Sequence, residues 1–383
     1  MTHRGALPTV CVVADNLNQP SETFVRRHVR ELNGGNTVAM ARSPGGEGAA
    51  GKPFLTWRRP GRFRQLIGRY DRRPLLPGMQ PDPFGAEFAA FVAAHRVGFM
   101  LCEFGPVGIG MHELARAAGI PMFCYFRGYD ASRKLSDYAY VNGLRHMLPR
   151  IDGIVAVSAF LLEQLASRGL THPNSMVIPS GVDSRMFEPA EKDPNLVLSV
   201  GRMVEKKAPL TTLRAFARVA AQQPSLRLEM IGEGPLRESG VAEAQALNIA
   251  DRVTFHGKQG HQFVIERLRR AAIYMQHSVT GLNGETEGAP TSIQEAMMAG
   301  TAVLSTQHAG IPEIVRDGER GLLVPEHDLD AYAAGLSQLA TDGALRERMG
   351  AAARAYALEE LDYRRLYGRL EAAMAAAIAA RSR

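Results

Sequence analysis

The chain has 383 residues, 45% hydrophobic and 22% charged, a globular composition that excludes a disordered or low-complexity protein. That length exceeds what one core usually fills, so two domains of ordinary size are expected. The net charge of +6 is unevenly placed: Lys52 to Arg73 holds eight basic residues (Lys52, Arg58, Arg59, Arg62, Arg64, Arg69, Arg72, Arg73) against one acidic, Asp71.

The same window interleaves Phe54, Leu55, Trp57, Phe63, Leu66, Ile67 and Tyr70 with its cations, a mixture that suits anionic lipid headgroups. No helix-turn-helix, zinc or RNA-binding signature accompanies it, so nucleic acid is not an expected partner. The opening residues hold too short an apolar stretch for a signal peptide, and no run of about 18 apolar residues exists to span a bilayer. The expected location is therefore the cytoplasm, with peripheral contact at the inner face of the cell membrane through residues 52–73. Cys11, Cys102 and Cys124 each sit inside an apolar run and read as core residues of a reducing compartment.

In chain order, short β-branched runs alternate with amphipathic helical stretches, the pattern of parallel strands with crossover helices. The first half predicts strands at Thr9–Ala14, Thr37–Ala41, Phe99–Cys102, Pro121–Tyr125, Gly153–Val157 and Met176–Pro179. After a Pro- and Gly-bearing seam at Ile178–Asp183, the second half predicts Leu196–Val200, Leu226–Ile231, Arg252–His256, Ile273–Gln276, Ala302–Ser305 and Gly321–Val324. Gln338 to Ala380 read as helices rich in Ala, Leu, Glu and Arg. The class is α/β, with two doubly wound sheets, and ligands of such sheets bind beyond the carboxyl ends of their strands.

Two strand-following segments carry chemistry. Gly201 lets the backbone turn sharply off its strand, and Arg202 and Lys207 can then aim two cations at one place, as a diphosphate requires. Further on, Glu287-Gly288-Ala289-Pro290-Thr291-Ser292 opens a short helix, predicted over Pro290–Ala299, with proline at its first position and Gly300 beyond its end. Gly288 and Ala289 offer no capping side chain, so the first amides stay available to an anion. Glu287 precedes this helix and Glu295 lies about one and a half turns inside it, so the two carboxylates suit two hydroxylated parts of one ligand rather than a shared proton. Asp328 and Asp330 look superficially like a metal motif, but their place before a helical stretch reads as a cap.

These segments, with Ile231-Gly232-Glu233-Gly234-Pro235, Ala309-Gly310-Ile311-Pro312-Glu313-Ile314-Val315, Asp317-Gly318 and Gly321-Leu322-Leu323-Val324, resemble retaining glycosyltransferase family 4 of the GT-B fold over essentially the whole second half. In the first half, Ser21-Glu22-Thr23-Phe24, Phe104-Gly105-Pro106 and Gly128-Tyr129-Asp130 resemble members that build bacterial exopolysaccharide, colanic acid, capsule or lipopolysaccharide. The resemblance implies two Rossmann-like domains facing across a cleft: an acceptor domain, 1–183, completed by a C-terminal helix of about 358–383, and a donor domain, 184–357. It implies that Arg202 and Lys207 neutralise the donor diphosphate, Glu295 holds the ribose hydroxyls, Glu287 holds a hydroxyl of the donor sugar, and the Gly288 to Ser292 amides complete the phosphate cradle. Gly201, Gly257 and Lys258 would line the donor site, the last two near the base. A UDP-sugar is the favoured donor, with GDP and ADP left open. The acceptor is a saccharide or lipid-linked saccharide, and neither metal nor other cofactor is implied. Transfer would retain the anomeric configuration through an oxocarbenium-like species, the leaving phosphate taking the acceptor proton.

Two positions depart from the family pattern. Arg127 stands where many members carry a histidine near the reacting centre, and an arginine donates but cannot act as a base. Glu103 stands where relatives often have histidine, and with Ser21, Glu22, Thr23 and Asp130 it is a candidate acceptor contact. The competing readings are a non-catalytic sugar-nucleotide binder and a sugar-nucleotide epimerase of similar two-domain shape. A nucleotide dehydrogenase is disfavoured, because no Gly-x-Gly-x-x-Gly turn follows the first strand.

Overall fold

The computed structural model describes residues 7–19, 22–43, 46–58 and 83–381. They form two compact α/β units: Met1–Ile178 together with Tyr367–Arg383, and Pro179–Leu366.

The first unit is built on β1 (Thr9–Ala14), β2 (Thr37–Ala41), β3 (Phe54–Thr56), β4 (Val97–Glu103), β5 (Met122–Phe126), β6 (Gly153–Ala156) and β7 (Ser175–Val177). They lie in the order β3-β2-β1-β4-β5-β6-β7, every pair parallel. The strand Val-Cys-Val-Val-Ala of β1 is buried from Val10 to Ala14, as a central parallel strand covered on both faces must be. Around the sheet run α1 (Thr23–Glu31), α2 (Pro83–Ala94), α3 (Gly105–Ala117), α4 (Tyr138–Met147) and α5 (Ala159–Ala166). Cys11, Cys102 and Cys124 are buried free thiols, on β1, β4 and β5.

The second unit's sheet runs β10-β9-β8-β11-β12-β13, again all parallel. Its strands are β8 (Asp193–Val200), β9 (Arg227–Ile231), β10 (Val253–Gly257), β11 (Ala271–Met275), β12 (Ala302–Thr306) and β13 (Leu322–Val324). Its helices are α6 (Pro209–Ala220), α7 (Arg237–Ala246), α8 (His261–Arg270), α9 (Thr291–Met298), the single turn α10 (Ile311–Ile314), α11 (Leu329–Thr341) and α12 (Gly343–Glu360). The core joins Leu213 and Phe216 of α6, Ile273 and Leu304 of the strands, and Tyr332 and Leu336 of α11. Asp328 accepts a hydrogen bond from the Ala331 amide at 2.8 Å, so the Asp328-Leu329-Asp330 segment is the expected helix cap.

The last helix, α13 (Tyr363–Arg381), belongs to the first unit from Tyr367 onward. There Glu371 accepts from the Asn33 amide at 2.8 Å, Arg369 donates to the Val177 carbonyl at 3.0 Å, and Arg381 pairs with Asp152 at 2.6 Å. The Pro179–Asp183 segment groups with the second unit because Val182 bridges in parallel to Asp362, its amide donating to Leu361 at 2.8 Å. β3 is a strand that the sequence pattern did not single out, since it lies inside the basic window. Trp57, just beyond it, is 1% exposed and donates its indole N–H to the Ala14 carbonyl at 2.9 Å. That aromatic therefore serves the core rather than a lipid surface, and residues 59–73 of the window lie outside the described residues.

α12 packs directly on the turn that ends α9. A Cβ built on Gly350 would stand 2.3 Å from the Gly300 carbonyl oxygen, a backbone atom that cannot swing aside. Gly350→Ala is expected to lower the stability of the chain by about 1–3 kcal/mol through this overpacking. Urea unfolding measures it, and an unchanged midpoint would contradict the packing described.

Candidate active site

In each sheet the strand order reverses beside its first strand, between β1 and β4 and between β8 and β11. The crevice beyond that point is where open parallel sheets take ligands. In the second unit the ends of β8, β9 and β10 are drawn together by glycine. Gly232 has φ +144°, and a Cβ there would lie 1.9 Å from the Gly201 carbonyl oxygen, so no side chain fits. The Gly201 amide donates to Ile231 and the Gly232 amide to Gly257, both at 2.9 Å.

On this floor the turn Glu205–Lys207 aims its lysines at the loop after β11. Lys207 Nζ stands 3.3 Å and Lys206 Nζ 3.4 Å from the same oxygen, Oε1 of Glu287, at ion-pair rather than hydrogen-bond geometry. Lys206 lies 2.8 Å from Glu285, which Arg202 approaches at 3.6 Å with its side chain mostly in solvent. Burial raises the Glu287 carboxyl, but Lys207 and Lys206 outweigh it and hold the group at about 2. Burial lowers the Lys207 ammonium in spite of Glu287. Beside them is a small open pocket lined by Ser199, Gly201, Arg202, Lys207 and Gln276 among others.

Glu287 is held from behind. Its amide donates to His308 Nε2 at 3.1 Å, and His308 Nδ1 lies 2.6 Å from Glu326, which fixes the ring as the Nδ1–H tautomer. α9 follows, but Pro290 is its cap, with ψ 122°, and not its first helical residue. Gln294, whose amide donates to the Ala289 carbonyl at 2.8 Å, keeps the chain extended for one residue more than the Pro-first pattern anticipates. No side chain caps the helix, and hydrogen bonding back to Pro290 begins at Ile293, so the Thr291 and Ser292 amides lead its N-terminus. The Ser292 hydroxyl donates to Gln276 at 3.0 Å. Glu295 is buried and pairs at 2.8 Å with His261, the first residue of α8. Gly288 and Ala289 are buried, whereas Gly257 closes β10 with φ +66° and Lys258 beyond it is exposed.

The first unit brings Arg127 and Glu103 into one group. Arg127 donates to Glu103 Oε2 from Nε at 3.0 Å and from a terminal nitrogen at 2.7 Å, and its guanidinium lies between the rings of Phe24, 3.9 Å away, and Tyr125, 3.7 Å away. The other Glu103 oxygen meets His28 Nδ1. Burial alone would raise the Glu103 carboxyl, yet Arg127 and His28 hold it at about 2. Glu103 is fully buried, so it braces Arg127 and His28 instead of touching an acceptor as the sequence suggested. Asp130, also fully buried, accepts from the Arg127 amide and the Gly105 amide at 2.9 Å each, tying the turn after β5 to the start of α3. It too is a brace and not an acceptor contact. Glu22 and Thr23, at the start of α1, keep half-buried side chains, and Glu22 is raised to about 7 by burial and by the charge of Glu103. Ser21 lies outside the described residues.

Residues 183–356 match the family Glycosyl transferases group 1, and residues 22–185 match Glycosyltransferase Family 4. The chain belongs to glycosyltransferase family 4. This family-4 chain is 30% identical over 256 residues to a protein of Escherichia coli K12 described as a colanic acid biosynthesis glycosyltransferase, WcaL, covering 64% of this chain and 63% of that one. It is 25% identical over 294 residues to the amylovoran biosynthesis glycosyltransferase AmsK of Erwinia amylovora, covering 73% and 70%. The match thus spans less than two thirds of WcaL's length. Among solved structures, Anabaena HepE in complex with UDP superposes with a TM-score of 0.77 over 97% of this chain and 100% of that one, at 13% identity, a likeness of fold.

For this family-4 chain the sequence reading missed Lys206, Glu285, His261, His308 and Glu326, all paired within the site. Lys206 was legible as a second cation beside Lys207. The histidines were not, because their partners lie on other elements.

Because the Glu287 pKa is depressed from 4.5 to about 2, the stability it contributes is present above about pH 4.5 and disappears as pH falls towards 2. Glu287→Gln leaves Lys207 without its carboxylate and Lys206 with Glu285 alone, and is expected to cost roughly 3 kcal/mol at pH 7, the gap to wild type closing on acidification. Urea midpoints across pH test this, and equal midpoints at pH 7 would contradict it.

Proposed function

We propose that the chain is a retaining, metal-independent glycosyltransferase that moves a sugar from a UDP-sugar to a saccharide or lipid-linked acceptor in cell-surface polysaccharide or glycolipid assembly. The observation that carries this reading is the convergence of Lys206 and Lys207 on Glu287, between the Gly201 turn and the uncapped N-terminus of α9. Two ammonium groups, Arg202 and a helix terminus can together meet the charge of a departing diphosphate. Glu287 would accept from a hydroxyl of the donor sugar and Glu295, steadied by His261, from the ribose. The relatives named for colanic acid and amylovoran support the polysaccharide setting, and HepE's UDP supports the base. The domains follow the two units, the second holding the donor.

Within the first unit, Arg127 is committed to Glu103, and it would meet the donor sugar only as a donor of hydrogen bonds. Peripheral contact with anionic membrane is proposed for residues 52–73 on their charge. No helix among the described residues is long and apolar enough to cross a membrane.

The test compares UDP, GDP and ADP by thermal shift on wild type and Glu295→Ala, followed by transfer from UDP-sugars. UDP at a hundredfold excess over Kd should stabilise wild type by about 2.7 kcal/mol and the variant much less. Lys207→Ala should lower kcat by roughly 100-fold or more, the usual cost of removing one donor to developing charge. Stabilisation by none of the nucleotides would remove the reading.

A further inference from the structure

A cluster in the first unit has no part in the proposed transfer. His112 and Glu113 near the end of α3 and His146 near the end of α4 bring one ligand atom each within 4.8 Å of one another. Nε2 of His112 and Nε2 of His146 both lie 3.6 Å from the same oxygen, Glu113 Oε1.

The tautomer of His112 decides what belongs between them. Its Nδ1 is 2.9 Å from the Ile109 carbonyl oxygen, which can only accept, so Nδ1 carries the hydrogen. In the neutral ring Nε2 is then a bare lone pair. It is buried on a side chain 3% exposed, has no hydrogen-bond partner, and points at a carboxylate oxygen. Two acceptors facing each other repel unless a cation stands between them. A proton on Nε2 would give only a long ion pair at 3.6 Å, with no hydrogen bond to hold the two groups together. A metal ion can bond to both: bonds of about 2.0–2.2 Å to two atoms at this separation enclose an angle of roughly 110–130°, within reach of a distorted tetrahedral site.

The surroundings fit that use. A metal-binding imidazole characteristically donates its second ring N–H to a carbonyl or carboxylate, as His112 does to Ile109. Glu113 Oε2 is held by Arg116 at 2.9 Å, which leaves Oε1 turned toward both rings. Arg150, 3.8 Å from Oε1 and partly exposed, is the cation a metal would displace. The outer ligand, His146, has a side chain 49% exposed and can close the remaining distance by rotation.

We propose that His112, Glu113 and His146 bind a Zn²⁺ ion, with solvent as the fourth ligand, clipping the end of α3 to the end of α4. Two imidazoles and one carboxylate are a donor set suited to zinc. Its service is structural, for α3 is also anchored at its other end, where the Gly105 amide donates to Asp130.

The test uses the full chain stripped with EDTA and passed through metal-free buffer. Titration calorimetry with ZnCl₂ should give one site per chain, weakened at least about 100-fold in His146→Ala and in Glu113→Gln, while Co²⁺ should give the visible bands of a tetrahedral site in wild type alone. Because His146 is half exposed, its variant is expected to melt as wild type does without metal. Zinc should raise the melting temperature of wild type and not of His146→Ala. Zinc uptake that is absent in wild type, or equal in wild type and both variants, would overturn the proposal.

Discussion

A diphosphate needs cations, and cations held ready for it in a buried place need an anion while it is away. Under the proposed function, Glu287 would meet that constraint in the second unit. Its Oε1 faces Lys206 and Lys207 together, and Glu285 takes up Lys206 and Arg202. The long ion pair to Glu287 leaves Lys207 less tightly held than a good hydrogen bond would, so under the proposed reaction a phosphate can compete for it without first breaking a saturated network. The His308 and Glu326 chain fixes the backbone behind Glu287, and the close approach of Gly232 to Gly201 fixes the floor beneath the lysines. Under the proposed reaction these features pre-set the electrostatics before ligand arrives, which is where such sites gain most.

The first unit obeys the same constraint with the opposite result. Arg127 and Glu103 neutralise one another inside an apolar wall of Phe24 and Tyr125. The two positions that the sequence reading set apart are thus one charge pair. A buried arginine without Glu103 would be an unpaired charge, and Glu103 without Arg127 and His28 could not stay ionised. Tyr367, the first residue of α13 in this unit, packs 5.1 Å from His28 by ring centres, so the returning helix closes over the pair.

Much of the fold was legible because parallel strands covered on both faces read as unbroken apolar runs, and β1 and β2 begin and end where the pattern placed them. β3 escaped because three residues on a sheet edge, embedded among cations, leave no such run. The donor segments were legible for another reason: glycine at a strand end, adjacent lysines and a proline before a helix are local signals. Pairings across the sheet were not. Glu103 with Arg127, Glu295 with His261 and the Glu287 backbone with His308 depend on strand order, which no single segment encodes. Asp130 looked like a ligand contact in part for the same reason, since one of its backbone donors, Gly105, lies on α3, while the other two, Arg127 and Gly128, come from its own turn.

Under the proposed function, that difference follows from what each unit would recognise. A nucleoside diphosphate presents the same charges whatever sugar it carries, so its site is built from backbone turns and fixed cations that leave a mark on sequence. An acceptor is read by shape and by hydroxyls, and the side chains first suspected of reading it, Glu103 and Asp130, are fully buried and spent on internal bonds. What remains near them with exposed surface is the start of α1, where Glu22 is half-buried and raised to about 7 by burial and the charge of Glu103. A carboxyl poised near neutrality beside a rigid, charge-balanced pair can accept or give a hydrogen bond to a hydroxyl. Burial thus does most to keep the Glu22 carboxyl near neutrality, with Glu103 adding to it and Arg127 opposing it.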